Sequence, residues 1–317
     1  MTTSPPTDDA LRQQLLARLD GVARLARGSR LQRLWAAPAR YLSGMWWRYV
    51  GFRWTGYGRV VSARTFFDAS MQVVLPAGMD LYLLGAKTHD SELRLARFLV
   101  RHLPQGATVV DVGAHFGYFT LLAARLVGPG GRVHAFEASP ATFEVLRANV
   151  QDWHRVHAEH MACSDAAGKV AFYEFPAAWS EYNTLRPEQY ARANWRGKVQ
   201  ARRVEVPAMP LDAVVDDRPV ALVKIDVEGA EPQVVAGMQR ILARHQPVVV
   251  MEFQADEAVN APHRQAADRL GAVGYRPFLI DPSGALVPAP QPLHEAVART
   301  GLESDNVVWV MGGGFEG

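Results

Sequence analysis

The fold is decided by one stretch of the chain, Val109-Val110-Asp111-Val112-Gly113-Ala114-His115-Phe116-Gly117-Tyr118-Phe119-Thr120. Its β-branched start predicts a strand, its two glycines predict a tight loop, and its apolar end predicts the first turns of a helix. A second predicted strand, 132–138, carries an acidic residue, Glu137, near its end. Strand, glycine loop, helix, strand and acid in this order are typical of a nucleoside-cofactor site at the carboxyl edge of a parallel sheet.

The chain around this stretch repeats the alternation of strand and helix. Strands separated by helices predict an α/β fold with a mostly parallel sheet and helices on both faces. Two late strands without a clear helix between them predict an antiparallel hairpin at the edge. The predicted strands are 108–113, 132–138, 156–163, 168–175, 200–206, 220–226, 247–253, 275–281 and 306–311, and the predicted helices are 116–127, 140–150, 231–243 and 262–273.

The N-terminal part is less regular. Leucines at helical spacing predict a helix over 11–34. Apolar residues at the same spacing predict a second helix over 91–102. Two short apolar runs, 71–76 and 79–84, predict a hairpin around Pro76-Ala77-Gly78. We therefore predict an extension over residues 1–67, with 1–9 disordered, and one main domain over 68–317.

Composition limits the kinds of cysteine site and the cellular compartment that we expect. The single cysteine, Cys163, excludes an intrachain disulfide and a cysteine-based zinc site. The first residues are polar and acidic and lack the basic start and apolar stretch of a signal peptide. No apolar run approaches the length of a membrane-spanning helix. The expectation is a cytoplasmic protein.

Charge is distributed unevenly along the chain. Residues 1–67 carry eleven Arg and three Asp, a balance of +8, whereas the remaining residues have a balance of −6. No acidic residue occurs from Gly21 to Phe67, where nine Arg are interleaved with eight aromatic residues between Trp35 and Tyr57. Such a segment fits an anionic membrane surface, nucleic acid or an acidic partner. The alternative interpretation is a structural arm whose aromatic side chains pack on the main domain.

The glycine loop distinguishes between cofactor classes. Gly113 and Gly117 are four residues apart, without the middle glycine of a G-x-G-x-x-G dinucleotide fingerprint. Asp111 precedes the loop, and its carboxylate would repel a pyrophosphate. It suits a ligand with a cationic end, such as the amino group of S-adenosylmethionine. An NAD-dependent dehydrogenase is therefore disfavoured, and a plain helix-start turn is the alternative.

Polar residues at further strand ends extend the predicted site. Glu137 can accept hydrogen bonds from both ribose hydroxyls. Cys163-Ser164-Asp165 could bind the edge of an adenine, or form a capped turn. Asp226 and Glu228 follow the strand 220–226, where an acidic cluster is costly unless solvated or used. Glu252 stands at the analogous end of the next strand, as a ligand or as a rim acid.

At this point the chain resembles the FkbM-type methyltransferases. The resemblance rests on 111–120, on Phe136-Glu137-Ala138-Ser139-Pro140, on Val223–Glu231 (VKIDVEGAE) and on 248–252, and it covers roughly residues 70–311. It implies a Rossmann-like, seven-stranded class I fold and S-adenosylmethionine-dependent O-methylation of sugars and secondary metabolites. It also implies that Glu92, Asn183 and Thr184 line the reaction pocket. His115 departs from the Asn that is usual in the family.

These considerations give one predicted reaction. Asp226, Glu228 and His115 are candidates for the base that takes the hydroxyl proton, and His115 could instead donate a hydrogen bond. Asp226 with Glu252 could hold Mg²⁺, although two carboxylates make a thin site. The acceptor is a small-molecule, glycan or lipid-linked hydroxyl, and the alternative function is an RNA methyltransferase that uses the basic arm. The predicted cofactor-binding residues are Glu92, Asp111, Gly113, Ala114, His115, Gly117, Phe119, Glu137, Ala138, Ser164, Asp165 and Asp226.

Overall fold

The N-terminal part is helical up to a first β-hairpin. The computed structural model describes residues 8–185 and 199–312. The helix predicted over 11–34 is in fact two helices, because Ser29 caps a new helix by accepting a hydrogen bond from the backbone N–H of Gln32. The elements are α1 Asp8–Arg27, α2 Arg30–Ala36, α3 Pro38–Trp46, a π-helical turn Trp47–Gly51, α4 Phe52–Thr55, β1 Arg59–Arg64, β2 Ser70–Leu75, α5 Met79–Leu84 and α6 Asp90–His102.

The prediction that the segments 71–76 and 79–84 pair as a hairpin is wrong. Strand β2 pairs with β1, in an antiparallel register that joins Arg59 to Leu75, and the segment predicted as its partner is the helix α5. A six-residue apolar run fits either state, and its Met and Leu residues, which are not β-branched, favour a helix. The hairpin crosses the predicted boundary after residue 67. Asp8 and Asp9 are helical rather than disordered, and residues 1–7 lie outside the described residues.

Beyond α6 the chain alternates between strands and helices, as predicted. The elements are β3 Thr108–Val112, α7 Tyr118–Val127, β4 Arg132–Glu137, α8 Pro140–Val150, β5 Val156–His160, β6 Ala162–Cys163, β7 Gly168–Glu174, a 3₁₀ helix Ala177–Tyr182, β8 Arg202–Met209, α9 Leu211–Val214, β9 Val220–Ile225, α10 Glu231–Ala236, α11 Gln239–His245, β10 Val248–Gln254, α12 Ala261–Ala272, β11 Tyr275–Ile280, β12 Leu286–Pro288, α13 Leu293–Ala298 and β13 Ser304–Met311.

The central sheet confirms the predicted α/β class. Its strand order is β12-β11-β13-β10-β9-β3-β4-β5. Strands β10, β9, β3, β4 and β5 are parallel. Strand β13 lies antiparallel to both of its neighbours, β10 and β11, so the antiparallel pairing of the two late strands is confirmed. The short strand β12 adds an eighth strand outside it. The helix α13, between the two hairpin strands, was not predicted.

Two predicted elements are split where the chain changes direction. The strand predicted over 156–163 divides into β5 of the central sheet and β6 of a small sheet with the order β6-β8-β7. The helix predicted over 231–243 breaks at Gly237. A Cβ on Gly237 would lie 2.0 Å from the carbonyl oxygen of Ser164, so this close approach requires glycine.

The core fills both faces of the sheet. Strand β3 sends Val109 to the face covered by α1, α6, α7 and α8, and Val110 to the face covered by α9–α13. Helix α1 belongs to the first face through Leu15 and Leu19, and the Arg12 guanidinium donates to the carbonyl of Val100. Helix α1 therefore packs on the main domain, although it contains none of the aromatic residues of the predicted structural arm. Among the described residues, no helix has the length and apolar character needed to cross a bilayer.

Candidate functional site

A cleft of about 430 Å³ opens at the carboxyl ends of the central strands. Ligands of open parallel sheets bind at this edge, and the volume is that of a small-molecule site. Apolar side chains from the β5–β7 region, among them Met161 and Phe172, form one part of its wall. Within the described ranges, the wall has one lysine, Lys87, and seven carboxylates: Glu92, Glu137, Glu181, Asp226, Glu228, Glu252 and Glu303.

The glycine loop is held against the neighbouring strand end. Gly113 has a φ of +78°, and a Cβ there would lie 1.8 Å from the main-chain oxygen of Asp226. The N–H of Asp226 donates to the carbonyl of Val112 at 3.0 Å. Only glycine satisfies both the left-handed backbone and this contact. The loop after β3 and the end of β9 therefore form a single seam at the floor of the cleft.

Glu137 lies beside this loop, at the end of β4. Its Oε2 accepts from the N–H of His115 and its Oε1 accepts from the N–H of Ser139, both at 2.8 Å. Burial raises the pKa of Glu137 to about 7, against the effect of these two hydrogen bonds. A carboxylate has about four acceptor positions, so Glu137 retains capacity for a ligand's hydroxyl groups.

A buried lysine connects two of the predicted carboxylates. The Nζ of Lys224 lies 3.1 Å from Oδ2 of Asp226 and 3.5 Å from Oδ1 of Asp111. Asp111 also accepts from the hydroxyl of Thr120 at 2.6 Å. The structure thus places Asp111 against a cation of the protein itself. Lys224 was not predicted as a site residue. The sequence does carry a signal for it, because a lysine within an apolar strand needs a buried partner of opposite charge.

Lys87 is a second cation that the sequence analysis does not single out. It lies in the loop before α6, and its Nζ is 2.5 Å from Oε1 of Glu92. Burial would lower the pKa of Lys87, but the carboxylates of Glu92, Glu181 and Asp226 outweigh it and raise the pKa well above its usual value. Lys87 is therefore charged at neutral pH. The only signal in the sequence is the polar run between α5 and α6.

His115 joins the glycine loop to the 3₁₀ helix. Its Nε2 lies 3.1 Å from the hydroxyl oxygen of Ser180, and its ring packs on Phe116. Burial, together with the positive charge of Lys87, lowers the pKa of His115 to about 3. The imidazole is therefore neutral at physiological pH and does not supply a proton as an imidazolium.

Three carboxylates meet at the ends of β9 and β10. One oxygen from each of Asp226, Glu228 and Glu252 lies within 4.8 Å of the others. Burial raises the pKa of Glu252 to about 8, and the charge of Asp226 adds to this. Burial also acts to raise the pKa of Asp226, but Lys224 and Lys87 outweigh it and the pKa is lowered. At neutral pH Asp226 is ionised and Glu252 is neutral.

This arrangement fits Mg²⁺ poorly. Magnesium requires near-octahedral oxygen coordination with ionised carboxylates. One oxygen of Asp226 already accepts from an ammonium group, and Glu252 carries a proton at neutral pH. Within this cluster, the charge of Asp226 is compensated by Lys224 and Lys87.

The segment that follows β7 is hydrogen-bonded to the loop at the end of β9. The hydroxyl of Thr184 donates to the carbonyl of Glu228 at 2.5 Å, and Thr184 also bridges to Tyr173 of β7. The 3₁₀ helix thereby presents Ser180, Glu181 and Tyr182 to the cleft. Residues 186–198, which follow this segment, lie outside the described residues.

The predicted site residues separate into two groups by position. Those that line the cleft are Glu92, Gly113, His115, Glu137, Ala138, Cys163, Asn183, Asp226, Glu228 and Glu252. Within the described part of the chain, the lining does not include Asp111, Ala114, Gly117, Phe119, Ser164, Asp165 or Thr184.

Comparison with known proteins gives a consistent family. The model of the methyltransferase FkbM domain matches residues 111–277. The 31-O-demethyl-FK506 methyltransferase FkbM of Streptomyces tacrolimicus is 34% identical over 175 residues, which are 47% of this chain and 66% of that protein. The methyltransferase sdnD of Sordaria araneosa is 31% identical over 165 residues, 44% of this chain and 63% of that protein. The chain thus spans slightly less than two thirds of these relatives.

Solved structures show a looser likeness. The crystal structure of methyltransferase FkbM from Methylobacillus flagellatus KT superposes with a TM-score of 0.41 at 14% identity, covering 74% of this chain and 52% of that one.

Proposed function

The chain belongs to the FkbM methyltransferase family, and we propose that it transfers a methyl group from S-adenosylmethionine to a hydroxyl of a sugar, glycan or secondary metabolite. One observation carries this proposal. A single cleft joins the free acceptor capacity of Glu137 to the acidic wall at the ends of β9 and β10. When bound, the cofactor supplies an already activated methyl group on a sulfonium. The protein then has to bind both reactants, orient them and receive one proton.

The end of the cleft around Glu137 fits the nucleoside. Glu137 can accept from a ribose diol while it still holds the N–H groups of His115 and Ser139. Apolar side chains beside it, Met161 and Phe172, suit the faces of a purine. Asp111 acts from behind this surface, where it pairs with Lys224 and accepts a hydrogen bond from Thr120.

The opposite end of the cleft fits a polyhydroxylated acceptor. Ionised carboxylates accept hydrogen bonds from hydroxyl groups and oppose phosphate groups. The wall has seven carboxylates against one lysine among the described residues, so it disfavours a nucleic-acid backbone. The proposal therefore prefers a neutral hydroxyl compound to RNA, the alternative that the basic arm suggests.

Asp226 is the favoured proton acceptor. It faces the cleft and stays ionised because Lys224 and Lys87 lower its pKa, whereas Glu252 is already protonated at neutral pH. A carboxylate of low pKa is a weak base. A weak base is sufficient here, because the hydroxyl proton becomes strongly acidic only as its oxygen bonds to the methyl carbon. His115 is less suited, since its pKa of about 3 makes it a weak base that is already bonded to Ser180.

The proposal is tested by separating cofactor binding from turnover. Titration calorimetry with S-adenosylhomocysteine is expected to show a large loss of affinity for E137A and wild-type affinity for D226N. Transfer of labelled methyl groups to a panel of sugars and polyhydroxylated metabolites is expected to fail with D226N. D268N, an exposed carboxylate on α12, is the matched control. Unchanged affinity in E137A would refute the cofactor assignment, and full turnover in D226N would refute the base.

A further inference from the structure

Large apolar side chains reach the solvent mainly in one segment. Twelve large hydrophobic residues are exposed among the described residues, and nine of them fall between residues 31 and 60. Exposed apolar clusters of this kind mark interaction surfaces. The nine are Leu31, Trp35, Leu42, Trp46, Tyr49, Val50, Trp54, Tyr57 and Val60.

The exposed residues follow the helical repeat. Leu31 and Trp35 are four residues apart on α2, and Leu42 and Trp46 are four residues apart on α3, so each pair shares one helix face. Trp35 is 80% exposed, and Trp54 of α4 is 88% exposed. Trp35, Trp46 and Trp54 therefore do not pack on the main domain, unlike the leucines of α1, whereas Trp47 is half-buried.

The same segment is purely cationic. Arg30, Arg40, Arg48, Arg53 and Arg59 are exposed, and no acidic residue occurs from 21 to 67. Within the described ranges, none of these five arginines forms an ion pair with a carboxylate. Their charge is therefore available to an external partner.

We propose that residues 30–60, termed the arm surface, dock on an anionic phospholipid bilayer. Exposed Trp and Leu side chains enter the boundary between headgroups and acyl chains, and arginines pair with lipid phosphates. A second copy of the chain is disfavoured, because two such surfaces would oppose arginine to arginine. Nucleic acid is disfavoured because exposed Leu31, Leu42 and Val50 offer nothing to phosphates or base edges.

The arm surface adjoins the cleft. The ring of Phe52 on α4 lies 6.2 Å from the ring of Trp179, which belongs to the 3₁₀ helix of the cleft wall. Docking of the arm therefore brings that wall close to the lipid. The proposal does not depend on which reaction the cleft performs.

Flotation of the full chain with vesicles tests the arm surface. We expect binding to phosphatidylglycerol/phosphatidylcholine vesicles at low salt, and much weaker binding to pure phosphatidylcholine vesicles or at about 0.5 M salt. Each arginine near an anionic surface contributes about fivefold, so R40Q/R53Q is expected to weaken binding by roughly 25-fold. W35A/W54A is expected to weaken it by at least about tenfold.

The controls alter exposed positions outside the arm surface. R264Q/R269Q on α12 and V273A/V287A are expected to bind like the wild type. Unchanged affinity for S-adenosylhomocysteine or an unchanged melting temperature confirms that each variant is folded. The proposal is overturned if anionic vesicles fail to bind at low salt, if both arm variants bind normally, or if single-stranded RNA displaces the vesicles at equal phosphate concentration.

Discussion

Replacing Lys224 by Met tests whether one buried ammonium group holds the floor of the cleft together. The substitution keeps a flexible, unbranched side chain and removes the ammonium group whose Nζ lies 3.5 Å from Asp111 and 3.1 Å from Asp226. Lys224 is 5% exposed, so water does not replace it. Removing one partner of a buried ion pair costs about 3–5 kcal/mol. At about 2 °C per kcal/mol, the melting temperature falls by roughly 6–10 °C.

The loss depends on pH with a defined sign. In the wild type, the lowered pKa of Asp226 stabilises the fold above the unfolded pKa of about 3.9, and this stability is lost as pH falls through the folded value. In K224M, burial prevails and the pKa of Asp226 rises. The folded variant then binds the proton more tightly than the unfolded chain, so it loses stability as pH rises from the unfolded to the raised folded pKa.

Thermal and urea unfolding at about pH 5 and about pH 8 measure this difference. The gap between wild type and K224M is expected to be larger at the higher pH. Lys169 pairs with Glu205 at 3.7 Å and is 70% exposed, so K169M is the matched control, with a change within about 0.5 kcal/mol. A loss below about 1 kcal/mol in K224M, or a gap that does not change with pH, would refute the reasoning.

Four further outcomes are expected. Because burial raises the pKa of Glu137 to about 7, the affinity for S-adenosylhomocysteine falls below that pH with proton release on binding, and calorimetry in two buffers will find this release absent in E137Q. G113A, whose Cβ would lie 1.8 Å from the Asp226 oxygen, loses at least about 2 kcal/mol of unfolding free energy and its ligand affinity, as urea titration and calorimetry will record. T184V, which removes the hydroxyl that donates to Glu228, raises the acceptor KM and leaves the affinity for S-adenosylhomocysteine unchanged, so equal shifts in both would contradict this role. Chelation with EDTA leaves turnover in the methyl-transfer assay unchanged, because Asp226 already pairs with Lys224 and Glu252 is protonated at neutral pH.

The parts of the fold with a strong local pattern could be predicted from the sequence. The β-branched run before Gly113 and the apolar helix after it specify a strand, a loop and a helix without reference to the rest of the chain. The six-residue segment 79–84 has no such period, and its state is decided by packing between α3 and the β1–β2 hairpin. Tertiary context also decides which large apolar side chains of the extension are exposed. Trp35 and Leu15 are both large apolar residues of helices in this extension, yet only Leu15 is buried.

The candidate site divides in the same way. Residues at strand ends, such as Glu137 and Asp226, could be placed because parallel strands finish at one edge of a sheet. Lys87 could not be placed, because its partner Glu92 reaches it only through the geometry of the loop before α6. Lys224 could have been found, since its register position in β9 is directly opposite Asp111 in β3.

The contact between Gly113 and the main-chain oxygen of Asp226 fixes the distance between the two ends of the cleft. The backbone on one side of this contact bounds the end of the cleft that we propose for the nucleoside, and the backbone on the other side carries the carboxylate of the end that we propose for the acceptor. Because main-chain atoms meet there with no side chain between them, the spacing of the two ends is set by covalent geometry and strand pairing rather than by rotamers. Substitutions in the cleft wall can therefore change which molecule is admitted without changing the distance that the transferred group has to cross.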